Sequence, residues 1–363
     1  MRRFTHRSGT FGGKVAGHAV LLSVPLLLLA SVSSALAGSP APAQDPPPPA
    51  EPEIRIEEEV TVTATRLPND EPAERRLVPA HVTVITRHEI ESSGARTLQD
   101  LLTLEAGALV FDQIGNDVQK SFDLRGFAGS GTRVFLDGSP INDPRNNSVA
   151  LELVPLRALD RIEITRGSVA ALAGGGSEAG AINLWTRHGA ESGASIEAAA
   201  GDFATREARV GAWRNWGVGD LFATGNWEET DGFRENADGH LTRVQASLGF
   251  DLGEKRRLEL SLIDSTSDYG SPGALTLAEL DADRDQSPFN ELDYIDEDMS
   301  HGTIQFSSGL GSSASFGANA FLRDRDDDTL TTGRAAASFG GFFSRTSSEV
   351  AGATLQLNDG HVL

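Results

Sequence analysis

Beyond residue 189 apolar and polar positions alternate. Ala194, Ile196, Ala198 and Ala200 are separated by Ser195 and Glu197; Leu221, Ala223, Gly225 and Trp227 by Phe222, Thr224 and Asn226. The same rhythm returns at Val244, Ala246, Leu248 and Phe250 against Arg243, Gln245 and Ser247. It recurs at Leu258, Leu260 and Leu262 against Arg257, Glu259 and Ser261, and at Phe316, Ala318, Ala320 and Leu322 against Gly317 and Asn319. With segments near 208, 304 and 353, about eight strands are predicted, each with one apolar and one polar face. Each is near the roughly ten residues that a tilted strand needs to cross a bilayer. Short turns at 217–220, 253–256, 311–313 and 358–360 alternate with long connections at 230–241, 265–300 and 324–345. A transmembrane barrel has short turns at one rim and long loops at the other, whereas a soluble β-sandwich has no reason for that alternation.

Residues 77–188 show a mixed pattern. His81-Val-Thr-Val-Ile-Thr86 alternates as a strand, and Thr97 is placed to cap a helix with Asp100 three residues on. Further strands are predicted at 121–126, 133–136, 161–165 and 181–186. Asp137-Gly138 should form a hairpin turn, because both residues tolerate positive φ, and Pro155 should start a short helical turn. This is an α+β unit.

The first 80 residues read differently again. Arg2, Arg3, Arg7 and Lys14 precede an apolar core at 19–33, and Ala35-Leu36-Ala37 offers a cleavage site. That pattern is a secretion signal over 1–37; the core is too short for a membrane anchor. Residues 38–56 are rich in proline and form an extended tether. At 54–66 Ile54, Ile56, Val60 and Val62 lie on one side of an extended chain, suited to strand addition to another protein or to the edge of the next domain.

Composition narrows the classes. The 363 residues carry a formal charge of −21, 39% hydrophobic residues, 39 Gly and no Cys. Acidity disfavours nucleic acid as a partner. A mean hydropathy of −0.23, with no long apolar run after the leader, excludes a helical membrane protein but not a β-barrel. The absence of Cys removes disulfides and thiolate sites.

Several words of the sequence carry a resemblance. EEEVTVTATR (57–66), HVTVITRHEIESSGARTLQDLL (81–102), FDLRGF (122–127), RVFLDGSPIND (133–143), VPLRALDRIEITRG (154–167) and AGAINLWTR (179–187) occur in the order and spacing of TonB-dependent outer-membrane receptors. The stretch from about 57 to 187 closely resembles their TonB box and plug. The resemblance implies an α+β plug domain over 67–189 and, from 190 to 363, antiparallel transmembrane β-barrel strands, about eight of an expected ~22. It also implies a bacterial outer-membrane location, with plug and TonB box facing the periplasm. The chain is expected to be a fragment or an interrupted gene product, whose open sheet cannot insert alone.

The resemblance also implies roles for residues. Glu59, Val60, Thr61, Val62, Thr63 and Ala64 would be the TonB box, paired main chain to main chain with TonB, which an inner-membrane motor complex pulls. Two plug-apex loops would meet the ligand, through Asp112, Gln113, Asn116 and Asp117 in one and Arg145, Asn146 and Asn147 in the other. Arg125 and Arg166 match arginines that hold the plug in the barrel through carboxylates. With the later strands outside this chain, they should lie together near plug carboxylates such as Glu163. The sequence departs from the family at Ala171-Leu-Ala-Gly-Gly-Gly176, which lacks the usual aromatic-Gly pair. No signalling domain fits between 38 and 57.

The implied function is active uptake of a scarce ligand, a ferric siderophore complex foremost; residues 272–286 look like a loop of iron-complex receptors. Vitamin B12, haem or an oligosaccharide are alternative ligands, and a non-transporting plug with partial barrel is the alternative role. Outer-membrane lipid is a further partner. No enzyme constellation stands out, and no cofactor or metal is implied. Gly174-x-Gly176-x-x-Ala179 lacks the βαβ context of a dinucleotide site, neither Ser130 nor Ser177 completes a nucleophile elbow, and the eight His lack metal-ligand spacing. Acidic runs at 281–285, 293–298 and 324–328 fall in predicted outer loops and read as solvated surface rather than calcium sites.

Overall fold

The computed structural model describes residues 81–359, apart from 105–107, 112–120, 125, 129–130, 168–174, 190–191, 289, 312–313 and 333–340. The leader, the tether and residues 59–64 lie outside the described residues, as do Asp112, Gln113, Asn116, Asp117 and Arg125.

The α+β unit has two small sheets. One has the order β1-β7-β8-β5-β6, built from β1 (His81–Thr86), β5 (Thr132–Leu136), β6 (Ser139–Pro140), β7 (Leu159–Arg166) and β8 (Gly180–Thr186). All its pairings are antiparallel except β5 with β8. The other joins β2 (Ala108–Phe111), β3 (Ser121–Leu124) and β4 (Phe127–Ala128). Helices α1 (Arg87–Ser92) and α2 (Leu98–Thr103) each start with a capping box, Thr86 with Glu89 and Thr97 with Asp100. Each box satisfies amide donors that a helix N-terminus leaves free. Ile90, Leu98 and Leu102 from the helices pack with Val134, Leu136, Ile162, Ile164, Ile182 and Leu184 from the sheet. Asp137 (φ 47°) and Gly138 (φ 76°) turn the β5–β6 hairpin as expected. Pro155 precedes the helical turn Leu156–Ala158 instead of occupying its first position.

The remaining strands form one antiparallel sheet in sequence order: β9 (Gly193–Ala200), β10 (Arg206–Asn215), β11 (Gly219–Thr230), β12 (Gly239–Asp251), β13 (Arg256–Gly270), β14 (Tyr294–Leu310), β15 (Ala314–Thr332) and β16 (Gly341–Asp359). Among the described residues β9 and β16 are not paired with each other, so the sheet is open. A short helix, α3 (Leu277–Ala282), lies in the longest described connection.

Strand length departs from the expected ten residues, reaching 19 in β15 and β16. The acidic run 324–328, expected in a loop, lies inside β15, and 294–298 lies in β14. Polar composition suggested loops there, but the ladders simply continue. Asp328, for example, lies opposite Asp296 on one side and Arg345 on the other.

Exposure on this sheet is inverted relative to a water-soluble one. Ile196 is 85% exposed and Leu355 74%, while Gln245 is 0% and Ser247 and His301 each 1% exposed. The apolar face looks outward and the polar face is covered by the α+β unit.

Candidate functional site

The polar face of the long sheet meets the α+β unit in three places, and main-chain atoms carry much of the contact. The β5–β6 hairpin is the first. Asn319 of β15 donates to the Asp137 carbonyl at 2.9 Å, and Gln305 of β14 donates to the same oxygen. Arg323 spreads its two terminal nitrogens over the carbonyls of Pro140 and Asn142, each at 2.8 Å. The buried Asp137 carboxylate accepts from Thr186 N (2.9 Å), Thr186 Oγ1 (2.8 Å) and Ser261 Oγ (2.9 Å). Burial raises its pKa, outweighing these bonds.

The second place is the turn Leu151–Leu153. Arg243 of β12 donates to the Glu152 carbonyl (2.9 Å), and Ser265 of β13 to the Leu153 carbonyl (2.7 Å). The Glu152 carboxyl is buried beneath them and accepts from Gln99 at 3.0 Å. Burial, and then the charge of Glu297, push it well above the ordinary carboxylate range. The third place is the end of β8, where residues 187–189 reach β10–β13.

Residues 142–148 rise from the hairpin towards the long-loop rim. Asn142 holds the loop closed, accepting from Val134 N (2.7 Å) and donating to the carbonyls of Thr132 (2.9 Å) and Asn147 (2.8 Å). Asn147, in the left-handed region at φ 60°, accepts from Arg133 at 2.8 Å and donates to the Gly176 carbonyl at 3.0 Å. Asn146 accepts from Ser148 N at 2.9 Å. These two asparagines therefore shape the loop itself. Arg145 differs: its side chain is 47% exposed, bonded to Asp143 and 3.5 Å from Asp327 of β15. The bond from Arg145 holds Asp143 below the usual carboxylate range. Arg145 thus joins the loop to the sheet at the rim.

Arg166 donates to Thr83 on the neighbouring strand, and Glu163 accepts from Arg161 at 2.9 Å. The sequence marks Asn226, Arg243, Gln245, Ser261 and Asn319 only as members of a polar face. It leaves Asp137, Glu152, His188 and Arg323 unmarked as contact residues. The signal for them was weak, because their partners are carbonyl oxygens or residues remote in sequence.

Among the described residues no cluster of His, Asp and Glu is arranged to hold a metal ion.

Comparison with known proteins places these features. Residues 74–181 match the family model described as TonB-dependent Receptor Plug Domain. Vitamin B12 transporter BtuB of Vibrio vulnificus strain CMCP6 is 32% identical over 158 residues, covering 43% of this chain and 26% of the transporter. An iron-regulated outer membrane virulence protein of Vibrio cholerae serotype O1 (strain ATCC 39315 / El Tor Inaba N16961) is 32% identical over 116 residues, 30% of this chain and 17% of that protein. The unliganded ferric citrate transporter FecA superposes with a TM-score of 0.63 at 20% identity, covering 77% of this chain and 44% of FecA. The ferric preacinetobactin receptor BauA of Acinetobacter baumannii gives 0.64 at 16% identity, covering 78% and 44%. The chain spans less than half the length of these relatives; the structural likeness establishes the fold.

Proposed function

We propose that this chain, which belongs to the TonB-dependent receptors and comprises their plug followed by eight barrel strands, serves active uptake of a scarce ligand across the bacterial outer membrane. The observation that carries the reading is the inverted long sheet. An outward face of Ile196, Val210, Leu260, Leu322 and Leu355 would be a large exposed apolar patch in water, and lipid removes that cost. The polar inward face is matched to the plug by hydrogen bonds, as a barrel lumen requires.

In this reading residues 67–189 are the plug, 190–363 the barrel wall, 1–37 the secretion signal and 38–56 the tether. Glu59 to Ala64 pair with TonB in the periplasm, and its inner-membrane motor supplies the pull. The plug apex, with Arg145 at the rim and the loop around Asp112, Gln113, Asn116 and Asp117, meets the ligand.

The foremost ligand is a ferric siderophore, supported by the resemblance of residues 272–286 to a loop of iron-complex receptors. Vitamin B12 is the second reading, favoured by the identity to vitamin B12 transporters. Deleting the gene and measuring energy-dependent uptake of labelled ferric siderophores and of cobalamin tests both. Loss of one uptake, restored by the gene, names the ligand. Unchanged uptake of both refutes the reading for these ligands.

A further inference from the structure

Where β8 leaves the plug, consecutive residues grip the wall. The guanidinium carbon of Arg187 lies over the neighbouring rings of Trp213 and Phe222, 4.6 and 4.8 Å from their centroids. Its carbonyl accepts from Ser247 of β12 at 2.9 Å. Gly189 donates to Asp220 of β11 at 3.2 Å, and a Cβ there would stand 2.5 Å from the Leu221 carbonyl oxygen. No side chain fits so close a crossing. Between them sits His188. Its Nδ1 is 3.5 Å from Asp220 Oδ1 and its Nε2 is 3.4 Å from Glu259 Oε1 of β13.

The groups around the ring are mostly acidic. Asp220 and Glu259 flank it, and Asp137 from the β5–β6 turn lies with it beside a cavity of about 150 Å³. Asp160 and Arg161 of β7 line the same cavity. The other cation, Arg257, is engaged by Asp220 (2.6 Å), Glu259 (2.7 Å) and Asp251 (2.9 Å). A protonated imidazole offers an N–H to each flanking carboxylate, whereas a neutral one turns a lone pair towards one of them.

We propose that His188 is a proton-operated catch: its imidazolium ties the C-terminal end of the plug to β11 and β13, and deprotonation loosens that end. Burial opposes the charge, but the close contact with Asp220 at 3.5 Å and the charges of Glu259 and Asp137 outweigh it and raise the pKa from the ordinary histidine value. The folded value is raised, so the stabilisation is fully present below the unfolded value. It is lost as pH rises through the folded one. Histidine is the side chain that can make this change near neutrality. The use of the catch in uptake rests on the function proposed above; the catch itself belongs to the junction of plug and wall.

Amide hydrogen exchange of residues 181–192 in the full chain, corrected for intrinsic pH dependence, tests it at about pH 6 and about pH 8.5, either side of the ordinary histidine value. Protection should fall several-fold at the higher pH in the native protein. It should be low and flat in His188→Gln, and high and flat in His188→Arg. Glu259→Gln should move the fall to lower pH. Native protection that is equal at both pH values, or a fall that persists in His188→Gln, overturns the catch. A plain structural tether would give that first result. Loss of the catch with uptake intact would leave the transport reading standing, and loss of uptake with the fall intact would leave the catch standing.

Discussion

Arg323, on the inward face of β15, donates its Nη1 to the carbonyl oxygen of Pro140 at 2.8 Å. With the matching bond to Asn142, one buried guanidinium holds both ends of a plug segment by its main chain. Hydrogen bonds to charged groups contribute about 1.5–3 kcal/mol each, and unmet carbonyls would be left behind. Arg323→Ala should therefore loosen the hairpin, and Arg323→Lys should rescue it only in part, because an ammonium lacks the planar fork. Protease susceptibility of residues 137–148 measures this; equal cutting in both variants and the native protein would refute the clasp.

Gly180 begins β8 at φ +150°, where a Cβ would lie 2.1 Å from the Thr165 carbonyl oxygen of β7. The neighbour is backbone in a paired strand and cannot swing away. Gly180→Ala should destabilise the plug by more than about 1 kcal/mol, beyond the ordinary glycine effect. Denaturant unfolding, read at Trp185, checks it.

Asp296 of β14 lies directly opposite Asp268 of β13 and Asp328 of β15. Like charges in register repel. Asp296→Asn should stabilise this part of the sheet by a few tenths of a kcal/mol, roughly the scale of a cross-strand pair. The gain should shrink in high salt, since exposed charges are screened over about 10 Å at 0.1 M. A thermal shift that is absent at low salt, or grows with salt, would count against the repulsion.

Val60→Pro should abolish uptake while leaving ligand binding at the cell surface intact. Proline removes an amide donor and breaks the strand that TonB is proposed to pair with. Uptake at the native rate would withdraw the assignment of Glu59 to Ala64.

The cap at Thr86 emerged only with the structure, whereas the amino-acid sequence alone determined the alternation of the eight strands, the cap at Thr97, and the Asp137-Gly138 turn. Each depends on neighbours a few residues away: a side chain two positions on, an amide three positions on, a φ angle within the turn. Strand ends were less legible. The charged run 324–328 stays in β15 because β14 and β16 offer ladder partners on both sides, which local composition does not reveal. The meeting of plug and wall was decided by tertiary structure alone. Asn319, Arg323 and Arg243 bind carbonyl oxygens, which every residue carries, so no pattern of side chains marks their partners. His188 looks ordinary in its own stretch of chain. Only folding brings Asp220 and Glu259 to either side of its ring.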